Sequence, residues 1–423
     1  MSHTFLFLSQ VYVPDPASVG QHMADAAAEL VRRGHRVIVL TSDRGYDDRS
    51  VKYPHREVID GVEVRRIPWT SFGKHSMLHR LAGGLSFTLQ AIARSLVLGG
   101  VDAVVVSTTP PMAPLAALAI ASLRRAAIKY WVMDLNPDQL IALGVVRESS
   151  PVVRIFDWLN RRILRRASDV VVLDRFMAAR VNRKLDVGAK LTIIPPWPHE
   201  DHLEPVVHRE NPFRARHALE RKFVVMYSGN HGPSNPISTI LEAARRLQGM
   251  SEMVFLFVGG GVGKREVEAA ASSNIRSLTY QPLGELRYSL SAADVHLVTV
   301  GDGVVGIVHP SKVYAALAVA RPVLLVGPEE SHVGEILREG DVGWRVSQGD
   351  VDGAERILRA MAHMSAADLS AKGDRGRSLM TSRFSKEALC GRFCDVVERG
   401  LGAGNRQGKT TGEWRVRRNP GIV

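Results

Sequence analysis

From residue 4 to about residue 196, short apolar runs alternate with longer stretches of helical periodicity. Phe5-Leu6-Phe7-Leu8 reads as a first buried strand. A loop over 12–20 carries two prolines and leads into a helix over 21–33, which Gly34 ends as a left-handed cap. Further strands are predicted at 37–40, at 62–67 after the Asp60-Gly61 turn, and at 101–106, 129–133, 170–173 and 191–194. Strands alternating with helices predict a parallel sheet covered on both faces. Pro195-Pro196-Trp197-Pro198 closes this half, and the polar stretch 199–221 reads as a linker. The alternation restarts at Phe223 and runs to about residue 356, followed by a helix over 386–397.

The fold class is therefore α/β, with Rossmann-like domains over 1–198 and 222–383 and a last helix within 384–401. The remainder, 402–423, is rich in Gly, Arg, Lys and Thr, a composition that predicts disorder. A length of 423 residues exceeds one ordinary core and fits two. Hydrophobic residues at 45% and charged residues at 23% exclude fibrous and disordered classes. The two cysteines, Cys390 and Cys394, suggest neither a zinc site nor a disulfide framework, so a reducing cytoplasm fits. The start of the chain lacks the basic segment and cleavage site of a secretory signal. The apolar run 112–123 is about half what a spanning helix needs, so no transmembrane segment is expected.

Net charge is +12, which favours an anionic partner. Arg154, Arg161, Arg162, Arg165, Arg166, Arg175, Arg180, Arg183 and Lys184 crowd one segment around Ile155, Phe156, Trp158, Leu159, Ile163 and Leu164. This stretch, 154–184, reads either as an amphipathic element at an anionic membrane surface or as a solvated helix face packed on the sheet. No zinc finger, helix-turn-helix or aromatic-rich platform is present, so nucleic acid is not an expected partner.

The candidate chemistry lies in turns of the second half: Ser228-Gly229-Asn230, Val258-Gly259-Gly260-Gly261, Tyr280-Gln281-Pro282 and Pro310-Ser311-Lys312-Val313-Tyr314. Each follows, or nearly follows, an apolar run, where open α/β sheets bind ligands. Glycines, small hydroxyls and one lysine suggest a nucleoside diphosphate. Lys312, at or near a helix start, would add a full charge for the pyrophosphate and stabilise the departing group. The bland alternative is a surface lysine. Gly229 and Asn230 permit close backbone approach, or simply form a tight turn. Gly20, at the mouth of the first helix, is either a matching phosphate contact or a plain N-cap glycine. Gly259 to Arg265 has the wrong spacing for a Walker phosphate loop, and Asp350-Val351-Asp352 reads as a helix cap rather than a metal pair.

Arg33-Gly34-His35-Arg36-Val37, Asp134-Leu135-Asn136-Pro137-Asp138 and the four turns above occur in an order that resembles the family-4 glycosyltransferases. The likeness is to the bacterial exopolysaccharide and O-antigen, colanic-acid-type branch. The resemblance implies a GT-B fold, two Rossmann-like domains facing across a cleft, with the last helix crossing back to the first. It implies transfer of a hexose or amino-hexose from a nucleotide-sugar donor, UDP-linked, to a lipid-linked saccharide acceptor. The enzyme would be retaining, metal-independent and without a cofactor beyond the co-substrate, at the cytoplasmic face of the plasma membrane. Lys312, Asp134 and Asp138 are then the catalytic candidates. The donor-binding set is Gly20, Ser228, Gly229, Asn230, His231, Tyr280, Gln281, Pro282, His309, Ser311, Lys312 and Tyr314. His22 and His231 are secondary candidates, and Asp138 also reads as a cap for a helix starting at Gln139. One departure stands out: the family's spaced glutamate pair falls near Ile307 and Ala315, neither of them acidic. A nucleotide-sugar 2-epimerase of the same architecture is the enzymatic alternative, but it needs convergent acids and the missing glutamates count against it. That departure, with the basic helix, keeps open a non-catalytic nucleotide-sugar-binding member of a membrane assembly.

Overall fold

A computed structural model describes residues 2–15, 17–45, 48–70, 77–199, 203–402 and 415–417. The chain forms two compact units, Met1–Pro196 with Glu387–Val423, and Trp197–Lys386.

The first unit is built on strands β1 (Thr4–Leu8), β2 (Arg36–Ser42), β3 (Arg56–Ile59), β4 (Val62–Ile67), β5 (Ala103–Ser107), β6 (Ala127–Trp131), β7 (Asp169–Val172) and β8 (Leu191–Ile193). They run in the order β3-β4-β2-β1-β5-β6-β7-β8. Every pair except β3–β4 is parallel. The central strands are buried along nearly their whole length, because helices cover both faces and leave no side for polar residues. β3 was not legible beforehand. It joins β4 in a hairpin at Asp60-Gly61, where both residues take positive φ. The first helix spans Ser18–Arg32, starting before the expected residue 21, and Gly34 follows at φ 88°.

The helix Lys386–Glu398 belongs to this unit, as the resemblance implied. Its Phe393 stacks on Trp131 with centroids 4.0 Å apart. Arg33 donates to Asp395 and Glu398 at 2.7 Å each, and His35 meets Glu398 at 2.6 Å. Buried Lys129 donates to Asp169 at 2.7 Å and to the Arg399 carbonyl at 2.5 Å. Cys390 and Cys394 are buried and unbridged here, and the hydrogen bond between them, together with burial, pushes the Cys394 thiol up.

The second unit carries β9 (Phe223–Ser228), β10 (Met253–Val258), β11 (Ile275–Leu278), β12 (Val295–Thr299), β13 (Val323–Val326) and β14 (Gly343–Val346). These form a six-stranded, all-parallel sheet in the order β11-β10-β9-β12-β13-β14. The expected linker is more ordered than its composition suggested. Asn211 caps the short helix Pro212–Arg216, and Arg214 is fully buried, donating to the carbonyls of Ala292 and Leu219 at 2.6 Å. Residues 200–202 of that stretch lie outside the described residues. The expected disordered tail needs correction at three positions. β15 (Arg415–Arg417) pairs parallel with β3 and extends the first sheet, because β3 offers an unpaired edge; 403–414 and 418–423 lie outside the described residues. Among the described residues, no helix is long and apolar enough to cross a membrane.

Two stability effects follow. Phe393→Ala removes a buried ring from the helix that closes the first unit, and should lower that unit's unfolding free energy by about 3–5 kcal/mol in urea titration. In the second unit, burial pushes His296 down from 6.5 to about 4. The unfolded chain takes up this proton first as pH falls, so stability present above pH 6.5 drains away between pH 6.5 and about 4. The loss should be about 3 kcal/mol, and denaturation curves of His296→Leu should lack it.

Candidate functional site

Ladder register sets this site. Tyr227 pairs with Phe257 and Ser228 with Val258, so the turns leaving β9 and β10 emerge side by side. Gly229, Gly259 and Gly261 take φ values of 128°, 137° and 110°. A Cβ on Gly259 would stand 2.0 Å from the Gly229 carbonyl oxygen, and one on Gly261 2.2 Å from Asn230 Oδ1. Only glycine allows these turns to interlock. The Gly229 amide donates to Val258 at 2.9 Å, the His231 amide to Gly260 at 2.7 Å, and the Tyr227 hydroxyl to the Asn230 carbonyl at 2.7 Å. Two backbone turns are thus locked into one wall.

Lys312 reaches across that wall. It is the first residue of the helix Lys312–Ala318, and its Cε lies 3.0 Å from where a Gly229 Cβ would sit. Its Nζ stands 5.1 Å from the Tyr227 ring centroid. Among the described residues no carboxylate pairs with it, and burial pushes its pKa from 10.5 down to about 8. His231 is buried against Tyr227, with ring centroids 4.8 Å apart, and its Nδ1 lies 3.0 Å from the Gly260 carbonyl. Burial holds its pKa below 6.5, and the charges of Lys312 and Lys264 press the same way, while the bond to Gly260 opposes them. Nδ1 must therefore carry the proton, which leaves Nε2 as a buried acceptor with no hydrogen-bond partner.

Lys264, set aside in the sequence with the false phosphate loop, comes to the same turns and donates to the carbonyls of Gly259 and Leu278 at 3.3 and 3.4 Å. The signal for it was a cation directly after the glycines. Tyr280 lies against Gly260, with Cε2 3.0 Å from a would-be Cβ, and remains 60% exposed. Gln281 donates to its neighbour Thr279 at 3.0 Å, and Pro282 and Ser311 are exposed. Ser228 is half-buried at the end of β9. Tyr314 is buried instead, its hydroxyl 2.9 Å from Nε2 of both His309 and His332. A phenol has one proton, so it donates to one ring and accepts from the other. Tyr314 thus anchors the loop before Lys312 from inside. His332 was missed because nothing in sequence marks a partner 18 residues away. Ile307 is buried, and neither it nor Ala315 brings an acid to the site.

The first unit presents its own candidates. Gly20 is the third residue of its helix rather than an N-cap, and its Cβ would stand 3.1 Å from Tyr12 backbone atoms, so close packing explains the glycine. Asp134 is half-buried, and its amide donates to Thr108 Oγ1 at 3.1 Å. Asp138 opens the helix Asp138–Ala142 itself and caps nothing; its carboxylate pairs with Lys184 at 2.8 Å, which removes it as a free base. His22 is buried, bonded to the Ser18 carbonyl at 2.7 Å. The basic stretch forms the helices Pro151–Arg166 and Arg175–Lys184. Leu159, Ile163 and Leu164 pack inward, whereas Ile155 and Trp158 stay exposed among the arginines. Among the described residues, no group of three or more His, Cys, Asp or Glu gathers as a metal site.

Comparisons with known proteins agree with this architecture. Residues 18–197 match the model of the glycosyl transferase 4-like domain. The chain is 28% identical over 320 residues to probable glycosyltransferase WbjE of Pseudomonas aeruginosa, covering 74% of this chain and 76% of the relative. To the putative colanic acid biosynthesis glycosyl transferase WcaI of Escherichia coli K12 it is 25% identical over 349 residues, covering 77% and 83%. Anabaena HepE, solved in complex with UDP-glucose, superposes with a TM-score of 0.68 at 12% identity, over 93% of this chain and 99% of that one. Residues 18–197 belong to the glycosyl transferase 4-like family, and with two Rossmann-like units, a final helix returned to the first and these relatives, the chain is a glycosyltransferase of GT-B fold.

Proposed function

We propose that this glycosyltransferase takes its sugar from a nucleoside-diphosphate donor seated on the interlocked glycine turns of the second domain. The observation that carries the reading is Lys312, a desolvated ammonium without a carboxylate partner among the described residues, laid along Gly229. A diphosphate supplies the missing charge, and the lysine then stabilises the negative charge that grows on the departing nucleotide. The exposed face of Tyr280 offers a stacking surface for the base. The lone Nε2 of His231 is an acceptor for a ribose or sugar hydroxyl. HepE's complex with UDP-glucose favours a uridine donor.

The acceptor in this reading is a lipid-linked saccharide of a cell-surface polysaccharide, in keeping with the colanic acid biosynthesis in WcaI's name, and the protein works at the cytoplasmic face of the membrane. Retention fits a donor site in which Lys312 serves the phosphate, and in the first domain Asp138 is already ion-paired with Lys184. A non-catalytic, nucleotide-sugar-binding role is the second reading, favoured by the absence of acids at Ile307 and Ala315.

Lys312→Ala should abolish the thermal shift that UDP gives the wild type and lower turnover of a UDP-sugar with lipid acceptor by roughly 10²-fold. A shift in the wild type without turnover would favour the non-catalytic reading; no shift with UDP, GDP, dTDP, ADP or CMP would overturn the donor site. The pH dependence is set by Lys312, whose pKa in the free protein is about 8 and which a bound diphosphate raises. UDP affinity measured by calorimetry should therefore be flat between about pH 7 and 8 and fall by about tenfold per pH unit above that. Lys312→Arg, which keeps its charge, should bind with no such slope.

A further inference from the structure

Beneath the basic helix the first domain holds a cavity of about 550 Å³, formed where the ends of the helices Asp138–Ala142, Pro151–Arg166 and Arg175–Lys184 meet. Arg154, Arg161, Arg180 and Arg183 line it together with Trp158 and Ile141. Its charges are only partly answered from within. Lys184 is held by Asp138 and Asp157 at 2.8 Å each, and Arg161 by Asp157 at 2.9 Å. Arg154 and Arg183 have no carboxylate partner among the described residues, and Glu148 on the rim pairs with neither. Arg180 is desolvated and pressed by the like charge of Arg183, with Asp138 opposing, so its guanidinium loses proton affinity. Such a cluster is relieved by an anion, and a guanidinium fork matches phosphate oxygens in particular.

An apolar surface lies on the same helix. Trp158 lines the cavity yet is 59% exposed, and Ile155 beside it is 64% exposed. Arg162, Arg165 and Arg166 are exposed on the same helix and have no ion-pair partner among the described residues. An exposed indole and a branched aliphatic within a field of arginines suit a ligand that is charged at one end and greasy at the other.

From this we infer that the cavity binds a phosphate group borne on an apolar chain, the phosphate between Arg154, Arg180 and Arg183 and the chain along Trp158 and Ile155. This rests on the acceptor side of the proposed function, but not on the donor site. Two sources share that chemistry, a prenyl diphosphate carrying the acceptor and the headgroup of an anionic phospholipid.

The test uses the full chain in calorimetry against geranyl diphosphate and inorganic pyrophosphate, and in co-sedimentation with vesicles of phosphatidylglycerol in phosphatidylcholine. Three proteins are compared: wild type, Arg154→Ala/Arg183→Ala, and Arg165→Ala/Arg166→Ala, which loses the same charge outside the cavity. Geranyl diphosphate should bind more tightly than pyrophosphate, and the cavity variant should lose about tenfold or more in affinity while the outer variant does not. Vesicle binding with that same variant pattern, without binding of the soluble diphosphate, would assign the headgroup as the source. Equal loss in both variants would reduce the effect to diffuse electrostatics and overturn the inference. Pyrophosphate binding as well as geranyl diphosphate, or no probe separating wild type from the cavity variant, would also overturn it. The UDP thermal shift should survive in the cavity variant, so failure here and failure of the donor site read out separately.

Discussion

A parallel sheet buried on both faces has no polar side, so its strands must be apolar throughout and its loops must carry all the chemistry. In the second domain β9, β10, β12 and β13 obey this, being Val-, Leu- and Phe-rich and almost entirely enclosed. The ladder then fixes where their carboxyl ends lie. Because Ser228 stands opposite Val258, the two following turns collide unless both are glycine, and their interlock makes a wall of backbone. Lys312 comes to that wall from a separate crossover, steadied by the buried Tyr314 and its two histidines.

Electrostatic contrast singles out this wall from the rest of the chain. Two buried arginines have acidic partners: Arg66 lies 2.6 Å from Glu57 and donates to the Val13 carbonyl at 2.8 Å, and Arg214 donates to Asp294 at 3.2 Å and to the carbonyls of Ala292 and Leu219 at 2.6 Å. Burying a charge without such partners is costly, and a fold retains it where a ligand completes it. Lys312 and Lys264 flank the glycine turns with no carboxylate paired to either among the described residues, and His231 adds an unpaired acceptor between them. The basic helix of the first domain repeats this logic at the surface, where Arg154 and Arg183 meet a cavity rather than an acid.

The alternation of apolar runs with helical periodicity was enough for the fold, since a strand enclosed on both faces and a helix with one wet face leave unlike patterns. It gave the two sheets, the last helix and the four turns, while the return of that helix to the first unit came from the family resemblance alone. It could not give β3, whose Arg-Glu-Val-Ile run is short and half polar, nor the packed order around Arg214, whose partners are backbone carbonyls far along the chain. Composition also misled at residues 415–417, where an open sheet edge, not an apolar core, supplies the pairing.

Within the site, the sequence by itself determined the local chemistry: glycines after strands, one lysine after Pro310-Ser311, and a tyrosine before Gln281-Pro282. Only the tertiary structure decided which of these act together. It took Gly20 into packing against Tyr12, Asp138 into an ion pair with Lys184, and Tyr314 into the interior, while bringing in Lys264 and His332. The reason is that residue type and spacing fix backbone conformation and hydrophobic face, which are local properties. Desolvation and charge pairing depend on neighbours that the chain brings close only after both sheets have closed.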